Sequence, residues 1–407
     1  MLTIKNAFQN PWPALSILDG VQESLCFFDI ETTGLSADVS MIYLIGCMHI
    51  QQDTIVIIQW FADDYESEAD ILDAFFSYIN SFSCLVHFNG KTFDIPYLKK
   101  KCRMHHKKAS FPPHLQMFDL YQCLRPYRRL FGISHMRQKN LEQYIGIDRK
   151  DPFSGGELIS VYTNYMQQKF LGKKEADALK ETLLLHNKED ILYMLPICTL
   201  LAFPLLFPLT CKEQLPSGCM VDTPHKDLLH ICNVKSDKMQ SVNSPTENEG
   251  NGTDKGRENH DQAPLLHIDF SLPFSFPIKQ TWHSGNFTLS LKGNNGNLCV
   301  CLEETCMYYF YPDYKNYYYL PKEDTAIHKD IASFVDASYK KKATAATCYT
   351  KKEGLFAPCF SYTDSECFYH GYKQKPAYLE VNDAFLQTDS LPTSYISDIL
   401  QHFPELL

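Results

Sequence analysis

Apolar positions along the chain follow two different periods. Short β-branched and aromatic runs at 25–30, 41–50 and 54–61 are separated by brief polar turns, which predicts a three-stranded antiparallel meander. From Glu66 the spacing becomes helical in ESEADILDAFFSYIN. It then alternates between short strands, CLVHF and QMFDLY, and helices in IPYLKKKCRM, NLEQYIG, GELISVYTNYMQQKF and the long ADALKETLLLHNKEDILYMLPICTLL. That alternation predicts an α/β domain with mixed strand pairing.

The pattern stops at 234–264, a stretch rich in Asn, Ser, Glu, Asp and Gly with almost no large apolar side chain. Such a segment buries too little surface to offset its ordering entropy and reads as a disordered linker. Beyond it, NFTLSLKG, NLCVCLEE and MYYFYPDYKNYYYLP predict a β-rich domain, with Asn-Gly and Gly-Asn turns between the first two runs and one helix in KDIASFVDASYKKKA. The expected organisation is an N-terminal extension over 1–24, an α/β domain over 25–205, a connecting segment over 206–264 and an accessory domain over 265–407.

Composition narrows the function classes. Fifteen scattered cysteines, without a CxxC pair or a His/Cys cluster, indicate neither a disulfide framework nor structural zinc and favour a reducing, cytoplasmic setting. The N-terminus lacks the basic start and apolar core of an export signal, and no uninterrupted apolar stretch of about 18 residues predicts a membrane span. A net charge of −10 argues against coating nucleic acid by bulk attraction, yet 91–139 holds twelve Lys or Arg against two acids, Asp94 and Asp119.

The chemistry lies in acids set among apolar runs. Asp29 and Glu31, two apart on the strand at 25–30, point to one face. Asp94 follows the strand CLVHF where a helix is about to begin, and Asp190 sits on the long apolar helix with His186 four residues before it on the same side. Four carboxylates without thiolates form a hard oxygen set suited to Mg2+ or Mn2+. Two such ions about 3.5–4 Å apart can activate water and stabilise a leaving oxygen in an in-line attack on phosphate.

DIETTGL, Asn89 with Phe93-Asp94, and the helix bearing His186 and Asp190 resemble the three motifs of the DEDD exonuclease branch of the ribonuclease H-like superfamily. More narrowly, YLIG at 43–46, NGKTFDIPYL, FDL at 118–120, Arg128-Arg129, NLEQYIG and HNKEDIL resemble the bacterial YprB-type ribonuclease H-like domain, over about 25–200. The resemblance implies a mixed five-stranded sheet flanked by helices, two divalent ions and 3′-to-5′ removal of nucleotides. It maps the metal-binding acids onto Asp29, Glu31, Asp94 and Asp190. Contacts to the terminal nucleotide fall on Thr32, Thr33, Gly34, Leu35, Asn89 and Phe93. His186 departs from the pattern: one branch has His five residues before the last Asp and the other has Tyr four before it, and here His occupies the Tyr position. As an imidazole titrating near neutral pH it either takes a proton from the attacking water or only packs on its helix.

Bland readings accompany these. Asp94 also suits a helix N-cap, and Asp119 is either a cap or a group behind a metal ligand. KKKCRMHHKK serves either as a solvated face or as a phosphate-contacting surface, and YKKKATAATCYTKK is as consistent with a surface helix end as with a stacking surface. The expected partner is nucleic acid, DNA or RNA, engaged at single-stranded ends, with the second domain available to a protein partner. Rival readings are an inactive nucleic-acid-binding or scaffolding protein and an endonuclease acting on RNA.

Overall fold

The computed structural model describes residues 1–12, 15–108, 110–209, 215–216, 225–237, 263–361 and 366–406. The chain divides into two compact units, Met1–Pro224 with Phe274–Pro277, and His225–Pro273 with Ile278–Leu407.

The first unit is built on a mixed sheet of six strands: β1 (Leu2–Gln9), β2 (Leu25–Thr32), β3 (Ile42–Gln51), β4 (Thr54–Phe61), β5 (Cys84–His87) and β6 (Gln116–Asp119), in the order β1-β4-β3-β2-β5-β6. The meander β2-β3-β4 is antiparallel, while β5 and β6 add in parallel on the other side of β2. Six strands replace the expected five because the N-terminal extension is not a free arm. Its LTIKNAFQ alternates in burial and pairs antiparallel with β4 from Leu2↔Phe61 to Gln9↔Thr54.

Helices α1 (Glu68–Tyr78), α2 (Asp94–Met104), α3 (Leu120–Leu124), α4 (Arg128–Phe131), α5 (Gln138–Tyr144), α6 (Gly155–Phe170), α7 (Glu175–Ile197) and α8 (Ala202–Leu206) complete the unit. The core joins β2–β4 to α1, α6 and α7, with Phe28 against Phe75 at 5.4 Å and Tyr43 stacked on Tyr162 at 4.3 Å. Truncating one of these fully buried rings to alanine costs about 3–5 kcal/mol. The stretch Glu175–Leu206 is long and apolar enough to cross a membrane, but 78% of its most apolar window is buried, as in a core helix.

The second unit is β-rich. It contains a three-stranded sheet β7-β8-β9 (His230–Ser236, Leu265–Ser284, Phe287–Cys301), a four-stranded sheet β10-β14-β16-β15 (Glu303–Phe310, Tyr349–Cys359, Ala377–Glu380, Cys367–Phe368) and a three-stranded sheet β12-β11-β13 (Thr325–His328, Tyr317–Leu320, Lys341–Lys342).

Three expectations change here. The linker cannot span 234–264 in full, because Val234–Ser236 belong to β7 and pair with β8, the Asp237 amide donates to the Leu265 carbonyl and the Leu302 amide donates to the Pro264 carbonyl; 238–262 lie outside the described residues. The glycines at 293 and 296 do not turn the chain, since β9 is continuous through them. Gly296 is needed because a Cβ there would sit 2.2 Å from the ring of Phe270, and the turn falls instead at Gly285, with φ +55°. The helix expected in KDIASFVDASYKKKA shrinks to Lys329–Ala332 and a 3-10 turn at Ala337–Tyr339, where Asp336 accepts from the Ser338 amide and restarts the chain.

Candidate active site

Asp29 and Glu31 leave the same face of β2, alternating with buried Phe28 and Ile30. Across the sheet Asp29 stands opposite Gly46 of β3, which stands opposite Gln59 of β4. Helix α7 lies over that row. A Cβ on Gly46 would sit 2.0 Å from Asn187 Oδ1, so glycine is what admits the helix. Gln59 Nε2 donates to Asn187 Oδ1 at 2.9 Å, and Asn187 Nδ2 donates to Asp29 Oδ2 at 3.2 Å. Between β2 and β3 the register slips, leaving Tyr43 as the extra residue of a bulge; its hydroxyl donates to Glu31 Oε2 at 3.4 Å.

One turn of α7 places three further groups, His186, Glu189 and Asp190. His186 Nδ1 meets Asp151 Oδ2 at 2.6 Å, and its Nε2 lies 3.2 Å from Asp190 Oδ2 and 3.6 Å from Glu31 Oε1. Asp190 Oδ1 accepts from Arg149 Nη1. Arg149 in turn holds Glu142 through Nε and Nη2, and Gln138 Nε2 bonds both Glu142 Oε1 (3.0 Å) and the Asp190 carbonyl (2.7 Å). Glu189, 3% exposed, accepts from the backbone amides of Lys150 and Asp151. The loop at 149–151 is thereby fixed to the helix that carries the acid.

Asp94, the first residue of α2, is 8% exposed and accepts from its own amide and that of Ile30. Asp119 caps α3 through the Tyr121 and Gln122 amides. It also accepts from the amides of Asn89 (2.9 Å) and Lys91 (3.4 Å), so it anchors the loop that leads to Asp94.

These carboxylates share a poorly solvated space. Burial, reinforced by the neighbouring acids, pushes Asp29 well above the carboxylate range. Burial raises Asp94 to about 7 and Glu31 to about 8, the latter against the opposing pull of His186. Burial works against the charge on Asp190 as well, but His186 and Arg149 hold its carboxyl below the usual value. Burial would lower His186; Asp190, Glu31 and Asp151 overcome it and raise the imidazole to about 9. Ligand atoms of Glu31, His186 and Asp190 all lie within 4.8 Å of one another.

A cleft of about 320 Å³ opens on this cluster. Asp29, Glu31, His186 and Asp190 line it, and so do Thr32, Gly34, Leu35 and Phe93. Leu35 is 87% exposed. Asp94 does not line it but lies near enough for its charge to raise Asp29 and Glu31. Two expected contacts are not brought there. Thr33 accepts the Met41 amide on its side chain, and Asn89, in the left-handed region at φ +61°, is bound to Asp119 and Thr92.

Sequence reasoning missed Asn187, Glu189, Arg149, Asp151 and Glu142. It also missed Gly155 and Gly156, which open α6 on the cleft behind the Ser154/Glu157 capping box. The capping box S-G-G-E was the readable signal for the last two.

Residues 26–202 match the family described as the RNase_H superfamily. The first unit carries a ribonuclease H-like domain. Over 181 residues, 43% of this chain, it is 29% identical to the uncharacterized protein YprB of Bacillus subtilis (strain 168), of which the match covers 41%. The chain therefore spans less than half the length of that relative. Among solved structures, a family B DNA polymerase from the hyperthermophilic archaeon Pyrobaculum calidifontis is 14% identical with a TM-score of 0.36, over 44% of this chain and 25% of the polymerase. E. coli Exonuclease I in complex with a 5cy-dA13 oligonucleotide is 18% identical with a TM-score of 0.25, over 30% and 36%.

Proposed function

We propose that the ribonuclease H-like domain is a divalent-metal-dependent nuclease that removes nucleotides from the 3′ end of a nucleic acid. The observation that carries this reading is the convergence of Asp29, Glu31, Asp94 and Asp190, from a strand and two helices, in a buried space where they repel one another. Burial and the neighbouring acids make Asp29, Glu31 and Asp94 costly to ionise, and a divalent cation bound among them would take the place of the protons that otherwise neutralise them. The donor set, oxygen with one adjacent imidazole, fits Mg2+ or Mn2+, and two ions are expected. When bound, such ions supply an activated water and stabilise the leaving oxygen.

The chain's own residues do the rest. Asn187 and Tyr43 fix the Asp29 and Glu31 carboxylates, and Asp151 fixes His186 with Nε2 toward the acids. In the metal-free protein that imidazole is protonated at neutral pH and acts as a counter-ion. It becomes a proton acceptor only when another cation beside Glu31 and Asp190 takes over that task. Leu35 and Phe93 offer apolar surface to a terminal base. Gly155 and Gly156 present a helix N-terminus, which favours phosphate, to the same cleft.

The rival reading, a binding module without turnover, draws on one observation: Asp190 already has cations on both oxygens, Arg149 and His186. The deciding experiment uses end-labelled single-stranded DNA and RNA with Mg2+, Mn2+ or chelator, for wild type and the Asp29→Asn/Glu31→Gln variant. A metal-dependent ladder shortening from the 3′ end, absent in the variant, supports the exonuclease. Equal inertness of both proteins, also on circular and hybrid substrates, leaves the binding module.

A further inference from the structure

The basic run on α2 is not uniformly available to a ligand. Lys100 pairs with Asp38, Lys101 and His105 with Glu68, and Lys107 with Asp73. Lys101 is 4% exposed, so it serves the fold. Lys99 and Arg103 differ. They are exposed, four residues apart on one helix face, and neither has a carboxylate partner among the described residues.

Those two side chains flank a groove of about 440 Å³ whose other walls are Phe76, Phe111, Cys102, Ser110 and Lys107. Its lining is mostly apolar. Phe111 is half-exposed and packs edge-on to Phe76 at 5.0 Å, and Lys99 Nζ stands 5.9 Å from the Phe111 ring centre. Asp73, paired with Lys107, is the one acid bound to a groove residue among the described ion pairs.

We infer that this groove binds a segment of single-stranded nucleic acid away from the cleaved end, with a base against Phe111 and the flanking phosphates on Lys99 and Arg103. The inference rests on the nuclease reading for its choice of ligand. Two cations without carboxylate partners beside an aromatic ring match a chain that alternates phosphate and base. A neutral peptide would leave both charges uncompensated, and a duplex would not present a base face to the ring. The groove lies toward the C-terminal end of α2, where helix carbonyls disfavour anions, so the two side chains must supply the attraction.

The test is anisotropy of a labelled single-stranded oligonucleotide in chelator over a salt series, with wild type and Lys99→Gln/Arg103→Gln. Loss of two phosphate contacts should reduce the slope of log affinity against log salt by about 1.4. Phe111→Leu keeps the apolar packing, and it should weaken binding by about tenfold or more, as loss of one stacked base does, with the slope unchanged. The double variant should keep the wild-type Mn2+-induced rise in melting temperature and the wild-type turnover of a dinucleotide too short to reach the groove. Wild-type affinity and slope in both variants would overturn the groove while leaving the nuclease intact. Failure of the wild-type protein to bind or cut any nucleic acid would overturn both.

Discussion

Arg149 donates from one end of its guanidinium to Asp190 and from the rest to Glu142, with 5% of its side chain exposed. Its planar fork is thus spent on buried Glu142 and partly buried Asp190, and Gln138 closes the ring by bonding both Glu142 and the Asp190 backbone. Arg149→Met removes the cation that, among the described residues, pairs with both carboxylates and leaves Glu142, 1% exposed, without its counter-charge. Breaking a buried pair in this way costs about 3–5 kcal/mol. Arg149→Lys should recover only part of that loss, because a point charge cannot fork. Denaturant unfolding of the three proteins measures it, and a cost within error of zero for the Met variant would refute the locked network.

The acid cluster predicts a pH dependence with a definite sign. Glu31, raised from 4.5 to about 8, and Asp94, raised from 3.8 to about 7, hold protons in the folded state that the unfolded chain releases. Stability of the metal-free protein therefore falls as pH rises through that window. His186, raised from 6.5 to about 9, acts in the same direction: its contribution is full below about 6.5 and lost as pH rises through 9. A divalent ion competes with these protons, so its affinity should rise by about tenfold per pH unit for each proton displaced, up to about pH 8. Chelator-treated protein should melt lower at pH 8.5 than at pH 6, and Mn2+ should raise the melting temperature more at the higher pH. An equal rise at both, or a rise kept by Asp29→Asn, would refute the assignment of the site.

The four acids are legible in the sequence because a carboxylate at the end of a buried strand or on an apolar helix face has few bland explanations. Asn187 and Glu189, by contrast, sit beside His186 and Asp190 and look like solvated helix positions. Only the close approach of α7 to Gly46 and to the 149–151 loop buries them. Arg149 and Asp151 lie in a short polar stretch, IDRKDPF, whose local pattern is that of a surface turn. The strand at Leu2–Gln9 carries a readable alternation, but its partner is chosen by the exposed edge of β4, which no local pattern reveals. The tyrosine-rich run of the second unit resolves into packing, Tyr311 on Tyr317 at 4.5 Å, as its β propensity allows.

Gly46 supports a separate prediction, because a Cβ there collides with the Asn187 side chain and not with a flexible surface group. Gly46→Ala should push Asn187 off both Gln59 and Asp29 and destabilise the domain by about 1–3 kcal/mol, the usual cost of overpacking. Adding Asn187→Ala removes the clash and should restore much of the stability without returning the amide to Asp29. Melting temperature should recover in the double variant while Mn2+ affinity and nuclease turnover stay low. Recovery of all three would show that the Asn187–Asp29 bond does not position the acid.

The Asp151–His186 pair separates a proton-handling histidine from a structural one. Asp151 lies on the far side of the ring from the acids, so Asp151→Asn leaves the direct neighbours of Asp29, Glu31 and Asp190 in place while removing the charge that orients Nδ1. If His186 transfers a proton during turnover, His186→Gln should lower the rate by about 10²–10⁴-fold. Asp151→Asn should lower it less and shift the rising limb of the pH–rate profile to lower pH, since loss of an adjacent negative charge makes the imidazole more acidic. Mn2+ binding, followed by melting temperature, should survive in Asp151→Asn. Near-wild-type turnover in His186→Gln with metal binding intact would assign the ring to packing and leave water activation to the ions.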